Sequence, residues 1–454
     1  MPRTRKRVVV TGYGMITPIG KDSRETFENA RNGVSGIDFL RSFDTKGLPC
    51  RIGGEVDDSW LDTLPAKGLR GIEKCSSRGL KLMISAVSEA VGAARLDSVE
   101  DRDGIGVSLG YHGENPSVED MLLLYRYSGQ DVWDVGGLTR NGVYSFFNFF
   151  RRKPDVACSI LSILFNCRGS NLSIVSACAA GTQAIGEALW IIREGKADVM
   201  IAGGCESNLN FLGFVGFVLI RALSERYSSP QKASRPFDRK RNGFVMSEGA
   251  GALVLESLDH ALERKAPIFA EVLGYGSSAD AFRITDIHPK GDGAAFAMHG
   301  AISDAGLTSA DIEYINAHGT STIQNDQIET LAIKRILGER AKKIPVSSNK
   351  SMIGHTIAGA GAIEAGLTIM GMNRSVLLPT INYEFADPKC DLDYVPNRAR
   401  ELEHGVALSN SFGFGGQNAC LCLGKFRVDN GLSNRLYRPA WTKLPGTKQD
   451  EVDR

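Results

Sequence analysis

Cys178 sits in Ile174-Val175-Ser176-Ala177-Cys178-Ala179-Ala180-Gly181, at the end of an apolar run and just ahead of a helical pattern. A thiol placed there can serve as a nucleophile. The thiolate is the reactive form, and the unpaired N–H groups of a helix N-terminus lower a cysteine pKa. Small neighbours leave room for a bulky group on the sulfur. A cysteine on a buried strand is also simply a small apolar side chain, and position alone leaves both readings open. His318 stands in Asn316-Ala317-His318-Gly319-Thr320-Ser321-Thr322. His355 stands in Ser348-Asn349-Lys350-Ser351-Met352-Ile353-Gly354-His355-Thr356, followed by Ala358-Gly359-Ala360-Gly361. One histidine in such a place is usually a satisfied structural residue. Two in matching small-residue turns, beside a well-placed cysteine, move the balance toward catalysis. They are thirty-seven residues apart, which rules out a helical zinc motif, and no third nitrogen or carboxylate ligand is apparent, so no metal is expected. A last motif, Asn410-Ser411-Phe412-Gly413-Phe414-Gly415-Gly416-Gln417-Asn418, is apolar yet pliable. It lacks the lysine and following helix of a phosphate loop. It reads either as a hinge beside a pocket or as a tight turn with core phenylalanines.

The elements that must position these residues alternate. Buried-type strand runs appear at Val8–Gly12, Gly104–Leu109, Leu172–Ala177, Val199–Gly203 and Ala252–Glu256, and again at Phe269–Tyr275, Glu313–Asn316, Ile344–Ser348 and Val406–Ser409. Helical patterns fall at Thr182–Glu194, closed by Gly195, and at Gly293–Ala305, Asp326–Leu337 and Ala360–Met370. Strand and helix in alternation predict an α/β sandwich with a mostly parallel sheet. Each half carries a hydrophobic strand that ends in a small-residue turn with a reactive type: Ile174–Gly181 in one, Tyr314–Thr320 in the other. This hints at a duplication with a boundary near residue 258, giving units 1–258 and 259–426 and a polar extension over 427–454.

The chain has 454 residues, 43% apolar and 23% charged, with 53 Lys+Arg against 52 Asp+Glu, a formal charge of +1. Disorder and fibre are excluded as overall descriptions, and a chain this near neutrality is not built around nucleic acid. Nine cysteines with no C-x-x-C pair argue against a disulfide framework and a zinc cluster, and for a reducing cytoplasm. The basic start is followed by only Val8-Val9-Val10, and the apolar stretch Phe211–Ile220 stops at Arg221, short of the roughly 18–20 residues a bilayer needs. No membrane segment is expected.

Taken together, Ser176–Gly181, Ala317–Thr322, Ser348-Asn349-Lys350 with Gly354-His355-Thr356, and Phe412–Gly416 resemble the β-ketoacyl-ACP synthase family, closest to its type II elongating enzymes. The opening Arg7–Met15, the stretch Ala233–Asp238 and Asp391–Asn397 match as well, so the similarity runs from about residue 6 to 426. The resemblance implies the thiolase fold, a five-layer α-β-α-β-α sandwich of two pseudo-equivalent halves, usually a homodimer in the cytoplasm. It implies an acyltransferase of fatty-acid synthesis with no cofactor, partnered by acyl carrier protein (ACP). Cys178 would carry the acyl chain, and the N–H groups of Cys178 and Phe414 would hold the oxyanion. His318 and His355 would donate to the enolate formed as malonyl-ACP loses CO₂. By the same resemblance Lys350 tunes the histidines and pairs with Glu364, and Thr320 and Thr322 bond the pantetheine arm. Phe414 is the gate, flanked by Phe412 and Gly415, and Asp280 and Thr285 belong to the facing loop. Arg221 meets the carrier protein, and charge alone would extend that patch to Lys67, Arg70 and Lys74.

Several positions depart from the family pattern. Ile323 stands where proline is frequent, Asn242 where R-D-G-F is usual, and Arg283 where histidine is common. The turn Gly110-Tyr111-His112-Gly113-Glu114 replaces a plainer glycine-rich one, and Ser145–Lys153 diverges most. These leave the acyl substrate open, and with it the same chemistry in a specialised polyketide or unusual-lipid pathway. A non-catalytic partner subunit of this fold lacks the nucleophilic cysteine that is present here. A coenzyme A-dependent relative generally has a second cysteine or an asparagine where this chain has Gly354-His355-Thr356.

Overall fold

The computed structural model describes residues 5–61, 72–127, 134–140 and 146–427. Ten strands form the main sheet. In chain order they are β1 (Val8–Ile16), β2 (Ile105–Gly110), β3 (Asn171–Ile174), β4 (Val199–Glu206), β5 (Gly249–Ser257), β6 (Ala270–Ala279), β7 (Tyr314–Asn316), β8 (Val346–Ser347), β9 (Val406–Gly413) and β10 (Gln417–Gly424). Across the sheet they run β8-β7-β9-β10-β6-β1-β5-β4-β2-β3. Taken separately, the first five and the last five strands have the same spatial order, third-second-fourth-fifth-first. The second to fourth strands are parallel and the fifth is antiparallel to both its neighbours in each set. The two sets meet only at Val9–Glu271 and Val10–Ala270.

Each half is therefore mixed rather than mostly parallel. In the second half the cause is plain: only the three residues Phe414–Gly416 separate β9 from β10, and a turn that short can only return the chain antiparallel. The repeat also pairs different turns from those the residue pattern suggested. The turn at Ala317 and His318 follows the second strand of its half, whereas Cys178 follows the third strand of its own. The counterpart of the nucleophile turn is the passage from β8 into the helix at Ala360. Both begin with a left-handed non-glycine residue, Ala177 (φ 47°) and Ile357 (φ 44°), and both make one 3₁₀ turn before the helix.

Among the described residues, the helices that frame the sheet and the site include α1 (Arg78–Ala94), α2 (Pro154–Leu164), α3 (Ala180–Arg193), α4 (Phe211–Leu219), α5 (Asp292–Asp304), α6 (Ile323–Leu337) and α7 (Ala360–Arg374). Alternation along the strands decides which layer each residue joins. Ala252 and Val254 of β5 face α1, whose Leu82, Met83 and Val87 share that core, while Leu253 and Leu255 face the opposite side. That side is the centre of the molecule. Ile185, Leu189 and Ile192 of α3 and Ala365, Ile369 and Met372 of α7 lie there between the two halves, with Val272 and Leu421 from the second half. A third core joins α5 and α6 to the far face through Ala297, Met298, Ala301 and Ile333, with Cys420 and Cys422 packed as small apolar groups. Helices, half-sheet, α3 with α7, half-sheet and helices make the five layers of the thiolase fold. Burying a side chain such as Leu189 contributes about 1.5–3 kcal/mol. The helix ends follow local rules. Gly195 (φ 71°) closes α3, its N–H bonded to the Ile192 carbonyl at 2.9 Å, and Thr322 caps α6 by accepting from Asn325 N–H at 3.3 Å.

The strands and helices expected from sequence are present with ends shifted by a few residues. Helices α1, α2 and α4 and strand β10 were not anticipated. Lys67 and Arg70 lie outside the described residues, as does the extension beyond Arg427, and of Ser145–Lys153 the described part starts with the helix Phe146–Arg151.

Candidate active site

Three chain ends converge on one cleft of about 310 Å³. Cys178 comes from the turn between β3 and α3. His318 comes from the loop after β7, and His355 from the loop that carries β8 into α7. Cys178 Sγ lies 3.0 Å from His355 Nε2. The rings of His318 and His355 meet edge to face, with centroids 5.3 Å apart and planes 81° from parallel. All three side chains are buried: Cys178 is 4% exposed and each histidine 2%.

The surroundings set the state of each group. Ile357 N–H points at His355 Nδ1 from 3.3 Å, so Nδ1 is an acceptor and the ring proton sits on Nε2, facing the sulfur. Phe244 packs edge-on against that ring and Phe412 against His318. Burial, then the Lys350 ammonium, hold the pKa of both imidazoles well below the ordinary histidine value, with His355 acting on His318 as well. Both rings are neutral N–H donors. The thiol behaves otherwise than its helix-end position suggests. Burial pushes the Cys178 pKa up to about 12, against the lowering effects of Lys350 and of the N–H groups of Phe414 and Cys178 itself. Desolvation of the thiolate outweighs the helix terminus here.

Lys350 Nζ and Glu364 Oε1 form a fully buried pair at 2.5 Å. Removing one partner of such a pair strands a buried charge, at about 3–5 kcal/mol. Glu329, on α6, was not singled out from sequence. Its carboxylate accepts from His318 N–H and Gly319 N–H, each at 2.8 Å, and from Asn410 Nδ2 at 3.1 Å, which fixes the His318 loop from behind. Its only sequence signal is a buried acid one helical turn after Asp326, following the Thr322 cap.

The Phe414–Gly416 turn closes the other side. Gly415 and Gly416 adopt φ of 78° and 70°, and a β-carbon on Gly416 would meet Asp280 Cβ at 2.7 Å. Asp280 ties the facing loop to this turn. Its N–H reaches the Gly416 carbonyl at 2.8 Å, and its carboxylate accepts from Asn418 Nδ2 at 2.8 Å and His288 N–H at 3.0 Å. Gly415 N–H donates to the Ile284 carbonyl at 2.6 Å. Thr285, Phe412 and Phe414 line the cleft. So do Thr320 and Thr322, whose hydroxyls are 3.0 Å apart, and Arg221, exposed at the end of α4. Lys74 is exposed but is not among the cleft residues; its ammonium lies 5.5 Å from the Phe147 ring centre.

One ligand atom from each of Cys178, His318 and His355 lies within 4.8 Å of the others, a set a soft metal could use. The Ile357 N–H at His355 Nδ1 opposes this, since it leaves a proton rather than a lone pair facing the sulfur. The arrangement suits hydrogen-bond donation to an oxygen that gains charge, close to a sulfur nucleophile.

A thiolase fold with a cysteine and two neutral histidines around one cleft is the design of a condensing enzyme. Profiles of the β-ketoacyl synthase N-terminal and C-terminal domains match residues 5–261 and 269–384. The 3-oxoacyl-[acyl-carrier-protein] synthase 2 of Synechocystis sp. is 42% identical over 93% of this chain and 99% of its own, and that of Staphylococcus aureus strain COL is 41% identical over the same shares. A crystal structure of a β-ketoacyl synthase from Burkholderia phymatum superposes with a TM-score of 0.81 at 32% identity, covering 93% of this chain and 100% of that one. The same coverage, identity and score hold for a structure of a type II PKS acyl-carrier protein in complex with its ketosynthase bound to the hexaketide. The chain belongs to the β-ketoacyl synthase family and is a condensing acyltransferase.

The neutral histidines give a spectroscopic expectation. In nitrogen-15 spectra of the labelled protein, the His318 and His355 side chains should not titrate near the ordinary value of about 6.5. His112 should titrate above it: burial disfavours its charged form, but the Glu206 carboxylate 2.5 Å from Nδ1 outweighs that. Loss of two signals titrating near the ordinary value in the His318→Ala and His355→Ala spectra would contradict this.

Proposed function

We propose that this enzyme is a β-ketoacyl-[acyl-carrier-protein] synthase that lengthens an acyl chain by two carbons in fatty-acid synthesis. The observation that carries the reading is the 3.0 Å approach of His355 Nε2 to Cys178 Sγ with the His318 ring alongside. Acyl-ACP enters with its pantetheine arm between Thr320, Thr322 and Thr285. Cys178 Sγ attacks the thioester carbonyl, whose oxygen takes N–H bonds from Cys178 and Phe414. The thiol proton ends on the departing pantetheine sulfur, so the exchange of one thioester for another leaves no net charge behind. Malonyl-ACP follows. Its C–C bond to the carboxylate breaks, CO₂ leaves, and the electron pair moves onto the thioester oxygen. The Nε2–H of His355 and an N–H of His318 hold that enolate. Its carbon attacks the acyl-Cys178 carbonyl, the C–S bond breaks, and β-ketoacyl-ACP departs as the thiol regains a proton. Lys350 and Glu364 act from behind as positioning residues, and the loop pinned by Asp280 with the Phe412–Gly415 segment gates the sulfur.

Incubating the full chain with a ladder of acyl-ACPs and malonyl-ACP and weighing the products tests the whole scheme. A two-carbon β-keto extension supports it; absence of extension from every acyl-ACP overturns it. Arg221, exposed at the cleft, would face the acidic carrier. Arg221→Glu is then expected to raise KM for acyl-ACP about tenfold at low salt with kcat little changed, an effect that shrinks as salt rises.

A second copy of the chain is the expected partner. Among the described residues strand β3 is the outermost of the sheet, followed by exposed Val175, and Ile163 of the helix packed on it is exposed too. Such an edge is normally covered. Light scattering should give twice the chain mass, and Val175→Lys should shift it toward the single-chain value. No helix among the described residues is long and apolar enough to cross a membrane.

A further inference from the structure

The divergent turn Gly110–Glu114 finds no role in the reaction above, yet the fold sets its first residue against the start of α3, two residues after the nucleophile. Strands β3, β2 and β4 are parallel neighbours, with Gly110 opposite Ile174 on one side and Gly204 on the other. Their C-terminal ends form one edge, where ligands of parallel sheets bind. The start of α3 presses on that edge. A β-carbon on Gly110 would lie 2.4 Å from the Ala180 carbonyl carbon, and one on Gly204 would lie 3.0 Å from Gly181 Cα. His112 and Glu206 each stand two residues beyond those glycines, and neighbouring strands are about 4.8 Å apart. The two therefore lie on the N-terminal-half side of Cys178, whereas the catalytic histidines and the threonines of the arm reach it from the other half.

This side is polar. His112 Nδ1 contacts Glu206 Oε2 at 2.5 Å. The other oxygen of Glu206 accepts from Asn208 Nδ2 at 2.8 Å and Ser207 N–H at 3.3 Å. Asn115 Nδ2 donates to Asn208 Oδ1 at 3.0 Å. Glu206 is fully buried, and its charge is one of those acting on the Cys178 sulfur. His112 Nε2 is buried with no hydrogen-bond partner. A saturated chain passing here would leave that nitrogen unsatisfied.

We propose that His112, oriented by Glu206, is a specificity-determining residue that recognises an oxygen, hydroxyl or keto, near the thioester end of the acyl chain held on Cys178. A hydroxyl can satisfy Nε2 in either protonation state of the ring, and a keto oxygen can do so when the ring is charged. The inference rests on the proposed acyl-Cys178 chemistry and names the acyl class that chemistry serves.

The test uses the full chain with pairs of acyl-ACPs of equal length, one saturated and one carrying a hydroxyl or keto group near the thioester. Acylation of Cys178 is followed by intact-protein mass, and condensation by product mass. Wild type is expected to acylate with the oxygenated chain about tenfold or more faster. His112→Leu should abolish or invert the preference while still accepting saturated chains, and His112→Gln, which keeps a polar group, should retain part of it. Equal rates in wild type, or an unchanged ratio in His112→Leu, overturn the proposal. If His112→Leu does not fold, the wild-type ratio and His112→Gln decide. Failure of every acyl chain to reach Cys178 would instead sink the functional reading itself.

Discussion

Cys178→Ala is expected to lose acylation and condensation altogether, while Cys178→Gln still releases CO₂ from malonyl-ACP. The contrast follows from the division of labour in the cleft. Acyl transfer needs the sulfur, the group on which the Phe414 and Cys178 N–H groups act. Decarboxylation needs only a bound malonyl thioester and two donors for its enolate oxygen. A glutamine at this position offers an amide carbonyl where the acyl thioester carbonyl would sit, so the site meets malonyl-ACP as if already loaded. Labelled CO₂ release by the two variants is the measurement. A Cys178→Gln protein that folds, binds malonyl-ACP and releases no CO₂ would show that His318 and His355 do not serve the enolate.

His318→Ala and His355→Ala should each slow that decarboxylation by about 10²–10³-fold, the 3–4 kcal/mol typical of one lost oxyanion donor. The double variant should be far less impaired than the product of the two, because both donors serve one oxygen and act as a unit. The two single variants should differ in the first half-reaction. His355 Nε2 touches the sulfur at 3.0 Å, so its loss should also slow acylation. His318 meets the cysteine through the His355 ring and the shared cleft, and its loss should leave acylation nearly intact. Single-turnover acylation, read by intact mass, separates the two. Equal acylation defects would mean that the rings are interchangeable, contrary to their geometry.

Much of this was legible in the residues. Strands rich in Val, Ile and Leu and helices with apolar stripes gave element positions to within a few residues, since local periodicity is what sets them. Gly195 marked a helix end for the same local reason. The mixed sheet was less legible, because β10 carries Cys420 and Cys422 among small residues and lacks a strong strand signature. So was the correct internal repeat. Residue resemblance paired the Cys178 turn with the His318 turn, but strand order pairs it with the turn before Ala360.

The ordered motifs around Cys178, His318, His355 and Phe414, read with the family they resemble, singled out from the sequence alone the side chains proposed for the chemistry. Only the tertiary structure decided their state. A helix terminus argues for a lowered thiol pKa, yet burial at 4% exposure raises it, because desolvation depends on everything packed around the sulfur and not on its neighbours along the chain. The same holds for His112 against Glu206, ninety-four residues away, and for Asn410, eighty-one residues from Glu329, which helps hold the carboxylate behind His318. Spacing along a chain shows which groups are available; the charge each one carries is set by contacts between distant segments.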